Sequence, residues 1–286
     1  MRGGDISIIT FAHHKGGTGK TTSCLNISGF LVKLGYNVLV VDIDPQANAT
    51  AGLGIDPNSR KSNMYDIFMS CIPGYPKVDL EEIIIKTGSG IDLAPSSLEL
   101  VGAEPFLYNL DDRAMVLREL LRPIKKRYDF IMIDTPPSMG QFVVNGLVAS
   151  DRRVITFDRG IFALNGLQTL MTIFSDIREV MGDSIVPDLA ILTRWDRRID
   201  EKRNSGIWAF FNKLSGQRKK TDHDDEERIA KFEEEVRKYF SLVYTVPYGR
   251  EIYEAQQQGI PISHFAPDCE AGVAYAQIAG VIEKWK

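Results

Sequence analysis

The run His14-Lys15-Gly16-Gly17-Thr18-Gly19-Lys20-Thr21-Thr22 combines glycine, lysine and threonine in an order that can hold a polyphosphate. Glycines let a backbone curl until its N–H groups converge on one anion. A helix start behind them adds partial positive charge. Lys20 can reach β- and γ-phosphate oxygens, and the Thr21 hydroxyl is a hard donor suited to Mg²⁺. Gly16, Gly17, Thr18, Gly19 and Thr22 complete the nucleotide loop. Two carboxylate-bearing runs follow, Asp42-Ile43-Asp44-Pro45-Gln46 and Ile131-Met132-Ile133-Asp134-Thr135-Pro136-Pro137. An apolar strand ending in aspartate, downstream of a phosphate loop, is the pattern that holds Mg²⁺. Asp134 is therefore expected as a metal ligand, directly or through a water. Asp42 reads equally well as a strand-end carboxylate and as a metal group.

These side chains can act together only if regular elements bring them to one edge. Ile6–Ala12 reads as a strand leading into the loop, and Lys20–Leu34 as a helix that Gly35 stops. Val38–Val41 is a continuous apolar run, as in a parallel strand buried on both faces. Pro45 ends it. Arg113–Lys126 reads as an amphipathic helix, Tyr128–Asp134 and Arg153–Phe157 as strands, and Ile161–Met181 as mostly helix. Leu189–Leu192 is a further strand. Strands alternating with helices imply an α/β fold, doubly wound, with a mostly parallel sheet and helices on both faces. Carboxylates at the C-terminal edge of such a sheet lie where ligands bind.

The ordinary loop, G-x-x-x-x-G-K-[ST], needs glycine where this chain has His14, and this chain adds Lys15. K-G-G-x-G-K-T resembles the deviant Walker A loop of the ParA/MinD superfamily of dimeric ATPases. D-x-D-P-Q-x-N-A-T (Asp42–Thr50) is similar to the ParA branch, and I-D-T-P-P (Ile133–Pro137) to the superfamily as a whole. The resemblance implies hydrolysis of ATP with Mg²⁺ by a protein that is a homodimer in its ATP state. Lys15 then reaches the partner's nucleotide and Asp44 orients the attacking water. A ParB-like activator, non-specific DNA and a part in chromosome or plasmid partition are implied as well. Pro247-Tyr248-Gly249-Arg250 is similar to the region that helps form the adenine pocket, with Pro247 the candidate contact. In Thr156-Phe157-Asp158-Arg159-Gly160, glycine stands where the family has a glutamate. Thr193–Arg198 resembles the T-x-Y-D-x-R segment. About thirty residues, roughly 201–231, read as an insert within an otherwise single ATPase domain spanning 1–286.

The chain has 286 residues and a net charge of −4, so nucleic-acid binding has to come from a local patch. One exists at 194–220, where Arg194, Arg197, Arg198, Lys202, Arg203, Lys213, Arg218, Lys219 and Lys220 face three acids. Such a stripe binds phosphates without sequence preference and weakens steeply with salt. The bland reading is a solvated loop whose cations pair with the acidic run Asp222–Glu227. Ile207–Leu214 could instead lie on a membrane. A MinD-like ATPase that positions a membrane-bound or protein cargo is thus the alternative, and a metabolic P-loop enzyme the third. Cys24, Cys71 and Cys269 lie far apart, which argues against a zinc site, a disulfide framework or an iron–sulfur cluster. No apolar run approaches the roughly eighteen residues of a span, and Met1–Asp5 lacks a signal-peptide core. Both fit a cytoplasmic protein, and the resemblance implies that it is nucleoid-associated.

Overall fold

The computed structural model describes residues 6–59, 61–138, 140–158, 163–181, 185–193 and 222–286. An eight-stranded sheet organises them. In chain order the strands are β1 Ser7–Ala12, β2 Val38–Asp42, β3 Ile85–Lys86, β4 Asp92–Ala94, β5 Phe130–Asp134, β6 Arg152–Phe157, β7 Leu189–Thr193 and β8 Leu242–Val246. Their spatial order is β3-β4-β2-β5-β1-β6-β7-β8. Every pair is parallel except β3 with β4. β1 sits between β5 and β6, so the chain leaves it in one direction for β2 and later crosses to the other side. That reversal is the topological switch point where open α/β sheets bind ligands.

Strict alternation divides the apolar strands between two faces. Ile9, Phe11, Val38, Val40, Phe130 and Met132 enter one core, beneath the helices α1 (Lys20–Lys33) and α12 (Glu270–Ile282). Ile8, Leu39, Val41, Ile131 and Ile133 enter another on the opposite face. Seven further helices precede α9: α2 Asn48–Gly52, α3 Met64–Met69, α4 Leu80–Ile83, α5 Glu104–Leu107, α6 Val116–Leu121, α7 Gln141–Ala149 and α8 Ala163–Met181. Then come α9 Asp222–Tyr239, α10 Arg250–Gln257 and α11 Ile262–Phe265.

Gly35 ends α1 as expected. It takes φ 88°, its N–H donates to Val32 O (2.9 Å), and Tyr36 N–H donates to Leu31 O (3.2 Å). Those paired bonds are a Schellman cap. The helix expected over 113–126 is shorter, Val116–Leu121, followed by a 3₁₀ turn at Lys125–Arg127. Pro123 has no N–H to continue the ladder. At the other end, Asn145 of α7 accepts from Leu117 N (2.9 Å) and donates to Arg113 O (2.7 Å), so a tertiary cap sets the start. Of the stretch read as an insert, 201–221 lies outside the described residues. Residues 222–231 form one continuous helix with 232–239, so the acidic run lies on α9. Phe232 and Phe240 anchor that helix edge-on against Phe157 at the end of β6, at 5.6 and 5.9 Å.

Candidate nucleotide site

The loop between β1 and α1 is held from behind at several points. His13 is buried and its Nδ1 accepts the Lys15 N–H at 2.9 Å. Burial, with the charges of His14, Lys20 and Lys15, pushes the His13 imidazole down to about 3, so it stays a neutral acceptor. The His13 ring stacks on His14 at 4.5 Å. Gly17 (φ 77°) and Gly19 (φ 89°) take left-handed conformations that L side chains avoid, which is what turns the loop into α1. The Thr18 hydroxyl meets the Thr156 hydroxyl of β6 at 2.9 Å, and the Thr193 hydroxyl of β7 donates to Thr18 O at 2.9 Å. Lys20 folds back under the loop, its Nζ 3.4 Å from Lys15 O. Burial pulls the Lys20 ammonium below its ordinary value, against the carboxylates of Asp134 and Asp44.

A wall of carboxylates faces the loop. Asp42 and Asp134 are register partners at the C-terminal ends of β2 and β5, and both are fully buried. Asp42 accepts from Thr50 N (2.8 Å), Thr50 Oγ1 (2.7 Å) and Asp44 N (3.1 Å), so both of its oxygens are spent on the loop that carries Asp44. Of its two sequence readings, the structural one fits. Burial, opposed by those bonds, raises the Asp42 carboxyl to about 7. Burial also raises Asp44, which accepts from Gln46 N (2.9 Å). Ala47 in the same loop has φ 52°, the sole non-glycine with positive φ among the described residues. Such strain beside a carboxylate cluster marks a loop whose shape matters.

Asp134 is tied to the phosphate loop directly. Its Oδ2 accepts from Thr21 Oγ1 at 2.6 Å, and its Oδ1 is buried with no hydrogen-bond partner. Burial and the Asp42 charge raise this carboxyl well above its ordinary range. A threonine hydroxyl, one carboxylate and an unsatisfied buried oxygen suit Mg²⁺, which takes few protein ligands and completes its shell with water and phosphate. Among the described residues no group of three or more His, Cys, Asp or Glu could hold a metal alone.

A family model described as an AAA domain matches residues 6–186. The chain is 32% identical to the sporulation initiation inhibitor protein Soj of Bacillus subtilis over 276 residues, covering 95% of this chain and 96% of that one. It is 30% identical to the chromosome partitioning protein ParA of Caulobacter vibrioides over 285 residues, covering 98% and 94%. The chain belongs to the ParA-type family of P-loop ATPases. Its fold is shared, at TM-score 0.74 and 23% identity, with cobyrinic acid a,c-diamide synthase from Mycobacterium smegmatis, solved with a bound ATP analog and magnesium. That match covers 99% of this chain and 96% of the other.

Within this ParA-type frame, the structure brings Gly16 through Thr22, Asp44 and Asp134 to one end of the sheet. Lys15 projects from the loop entrance and pairs with Asp158, its Nζ 3.1 Å from both carboxylate oxygens. Pro247 follows β8, three strands away from β1, and is half-buried. The nine basic residues from Arg194 to Lys220, and Gly160, lie outside the described residues. Four contributors escaped sequence reasoning as site residues: Thr156, Asp158, Thr193 and Gln256, whose Nε2 donates to Thr22 Oγ1 at 3.0 Å. Thr193 opens the recognised T-x-Y-D-x-R segment, which was the available signal. Asp158 was named only as part of the segment in which Gly160 departs from the family's glutamate. Gln256 lies 234 residues from Thr22 and carries no local signal.

Proposed function

We infer that this ParA-type protein is a DNA-partitioning ATPase that binds Mg²⁺-ATP, dimerises and hydrolyses ATP slowly. The observation that carries this is the Thr21–Asp134 bond with Asp134 Oδ1 left unsatisfied beneath the glycine loop. Thr21 and Asp134 would hold Mg²⁺, which supplies charge neutralisation across the β- and γ-phosphates. The loop amides and Lys20 stabilise the same phosphates. Asp44 sits 4% exposed on the neighbouring wall, held by Gln46 N, and its raised carboxyl suits a group that orients water and accepts a proton. Lys15, leaving Asp158, completes the partner subunit's site and so couples ATP to dimerisation. Pro247 lines the adenine side.

The closed dimer binds DNA non-specifically through Arg194–Lys220, and a ParB-like activator triggers release. The net excess of six positive charges in that stretch supports the DNA reading. The name of the Caulobacter relative supports the partition role. This function belongs to the cytoplasm, on the nucleoid. No helix among the described residues is long and apolar enough to cross a membrane.

The test is a DNA mobility shift with ATP, ADP or no nucleotide, repeated with Arg218, Lys219 and Lys220 changed to alanine. ATP alone should give a shift that the triple variant loses. Protein that ignores DNA at low salt but sediments with anionic liposomes in ATP would replace partition with a membrane-positioning role.

A further inference from the structure

Resting on the nucleotide site inferred above, we propose that Thr193 is a positioning residue for phosphate binding: its hydroxyl locks the Thr18–Gly19 peptide against flipping. A trans peptide is planar, and its C=O and N–H point in opposite directions. The Thr193 hydroxyl donates to Thr18 O at 2.9 Å. The Gly19 N–H is therefore turned away from β7, as a loop amide must be if it is to reach a phosphate.

Glycine makes this lock necessary. Gly19 has φ 89°, and a flip of the preceding peptide would carry it to about −90°, which glycine tolerates equally. Any residue with a Cβ would resist one of the two states, but none fits. A Cβ on Gly19 would lie 2.8 Å from Thr193 Cγ2. The freedom that permits the turn thus also permits a carbonyl to swing toward the anion. The flipped state would replace a donor with an acceptor facing phosphate oxygens.

The lock is itself anchored. Thr193 is the last residue of β7 and 5% exposed, so its hydroxyl is shielded from competing water. Its single proton goes to Thr18 O, the nearer acceptor, in competition with Phe157 O at the end of β6, 3.2 Å away. Thr18 is gripped a second time through its side chain, by Thr156. β6 and β7 thereby form a back plate for the loop. The loop need not select its binding-competent peptide orientation when nucleotide arrives, which removes a penalty on affinity.

The experiment compares Thr193→Val and Thr193→Ala, which lack the hydroxyl, with Thr193→Ser, which keeps it. Binding of Mg²⁺-ADP and Mg²⁺-ATP is measured with fluorescent nucleotides, alongside steady-state hydrolysis and thermal melts without nucleotide. An amide–phosphate bond is charge-assisted, so both hydroxyl-free variants should weaken ADP and ATP alike by about 10- to 100-fold. KM should rise in step while kcat at saturating ATP stays within about threefold, and the serine variant should stay within about threefold throughout. A packing role would lower the melting temperature without separating KM from kcat. Wild-type affinity in either hydroxyl-free variant overturns the lock, as does a serine variant as weak as alanine. If the wild type itself binds neither nucleotide, the nucleotide reading falls and takes the lock with it.

Discussion

The two ends of the sheet use the same residue type in opposite ways. At the N-terminal ends of the strands, Asp92, Asp129, Asp151 and Asp188 each accept at least one hydrogen bond. Asp129 accepts from Asn37 N (2.8 Å) and pairs with Lys286. Asp151 accepts from Ile8 N at 2.9 Å. Asp188 takes Arg152 on one oxygen (2.9 Å) and Arg153 N on the other (2.8 Å). Trp285 lies under Arg152, and Tyr36 under Lys286. At the C-terminal ends, Asp44 and Asp134 lie beside one buried lysine, Asp42 crowds Asp134, and Asp134 keeps an unmatched oxygen. The first arrangement stabilises the fold. The second stores unfavourable electrostatics that a bound cation would relieve, which is how functional sites depart from local consistency.

The sharpest way to break this comparison is to delete one carboxylate from each end. Asp44→Ala should lower the steady-state rate of phosphate release by about 100-fold or more while retaining nucleotide binding, since a positioned proton acceptor contributes on that scale. Asp129→Asn at the far end should leave turnover within about twofold. Normal hydrolysis by Asp44→Ala would remove that residue from the mechanism.

Stability should show the reverse order. Asp129→Asn strips the largely buried partner of Lys286 and should destabilise the protein by about 1–3 kcal/mol in urea unfolding. Asp134→Asn replaces a buried, under-satisfied carboxyl, whose charged form burial disfavours, with a neutral amide. Nucleotide-free protein should be no less stable for it, while Mg²⁺-dependent ATP binding is lost. A clear loss of stability in Asp134→Asn would mean that the carboxylate is structurally matched after all.

Acid titration sharpens the contrast further. Asp42 titrates at about 7 in the folded chain against 3.8 unfolded. The folded state therefore holds the extra proton, and stability is lost as pH rises across that window. His13 titrates at about 3 against 6.5. There the unfolded state holds the extra proton, and stability is lost as pH falls through the same range. The two oppose each other in the nucleotide-free protein, with Asp44 and Asp134 acting like Asp42, and His14 like His13. Between about pH 4 and 6.5, Asp42→Asn should therefore gain stability with rising pH more steeply than wild type. His13→Asn should shift the slope the other way. Equal slopes for all three proteins in denaturant titrations would refute the assigned burial.

What could be read in advance was whatever is local. Glycine spacing, a continuous apolar run ending in aspartate and a glycine helix stop each act within a few residues. Lys20, Thr21, Asp44 and Asp134 were legible for that reason, as were β2, β5 and the end of α1. What acts across the fold was not legible. Asn145 caps α6 from 28 residues away, and Thr193 supports Thr18 across 175. Nothing in the sequence neighbourhood of His13 announces its burial against Phe157. The division of labour between Asp42 and Asp44 needed the loop geometry that turns Thr50 back onto Asp42.

Asp158 is the exception at the nucleotide end, a carboxylate there that does have a cation. Its partner is Lys15, which the inferred mechanism needs on another subunit. The pair is partly exposed, with side-chain accessibility of 44% for Lys15 and 23% for Asp158, so water and salt weaken it. Exposed pairs contribute about 0.2–1 kcal/mol each, and two break per dimer, which caps the competition at about 30-fold. Asp158→Asn should therefore tighten ATP-dependent dimerisation by no more than that factor at low salt, measured by sedimentation, and the gain should vanish near 0.5 M salt as screening removes the pair in wild type too. Lys15→Ala should abolish the dependence on residue 158 altogether. If Asp158→Asn weakens the dimer instead, Asp158 contributes to the assembled interface, and the nucleotide end would hold a matched carboxylate of the kind found at the far end of the sheet.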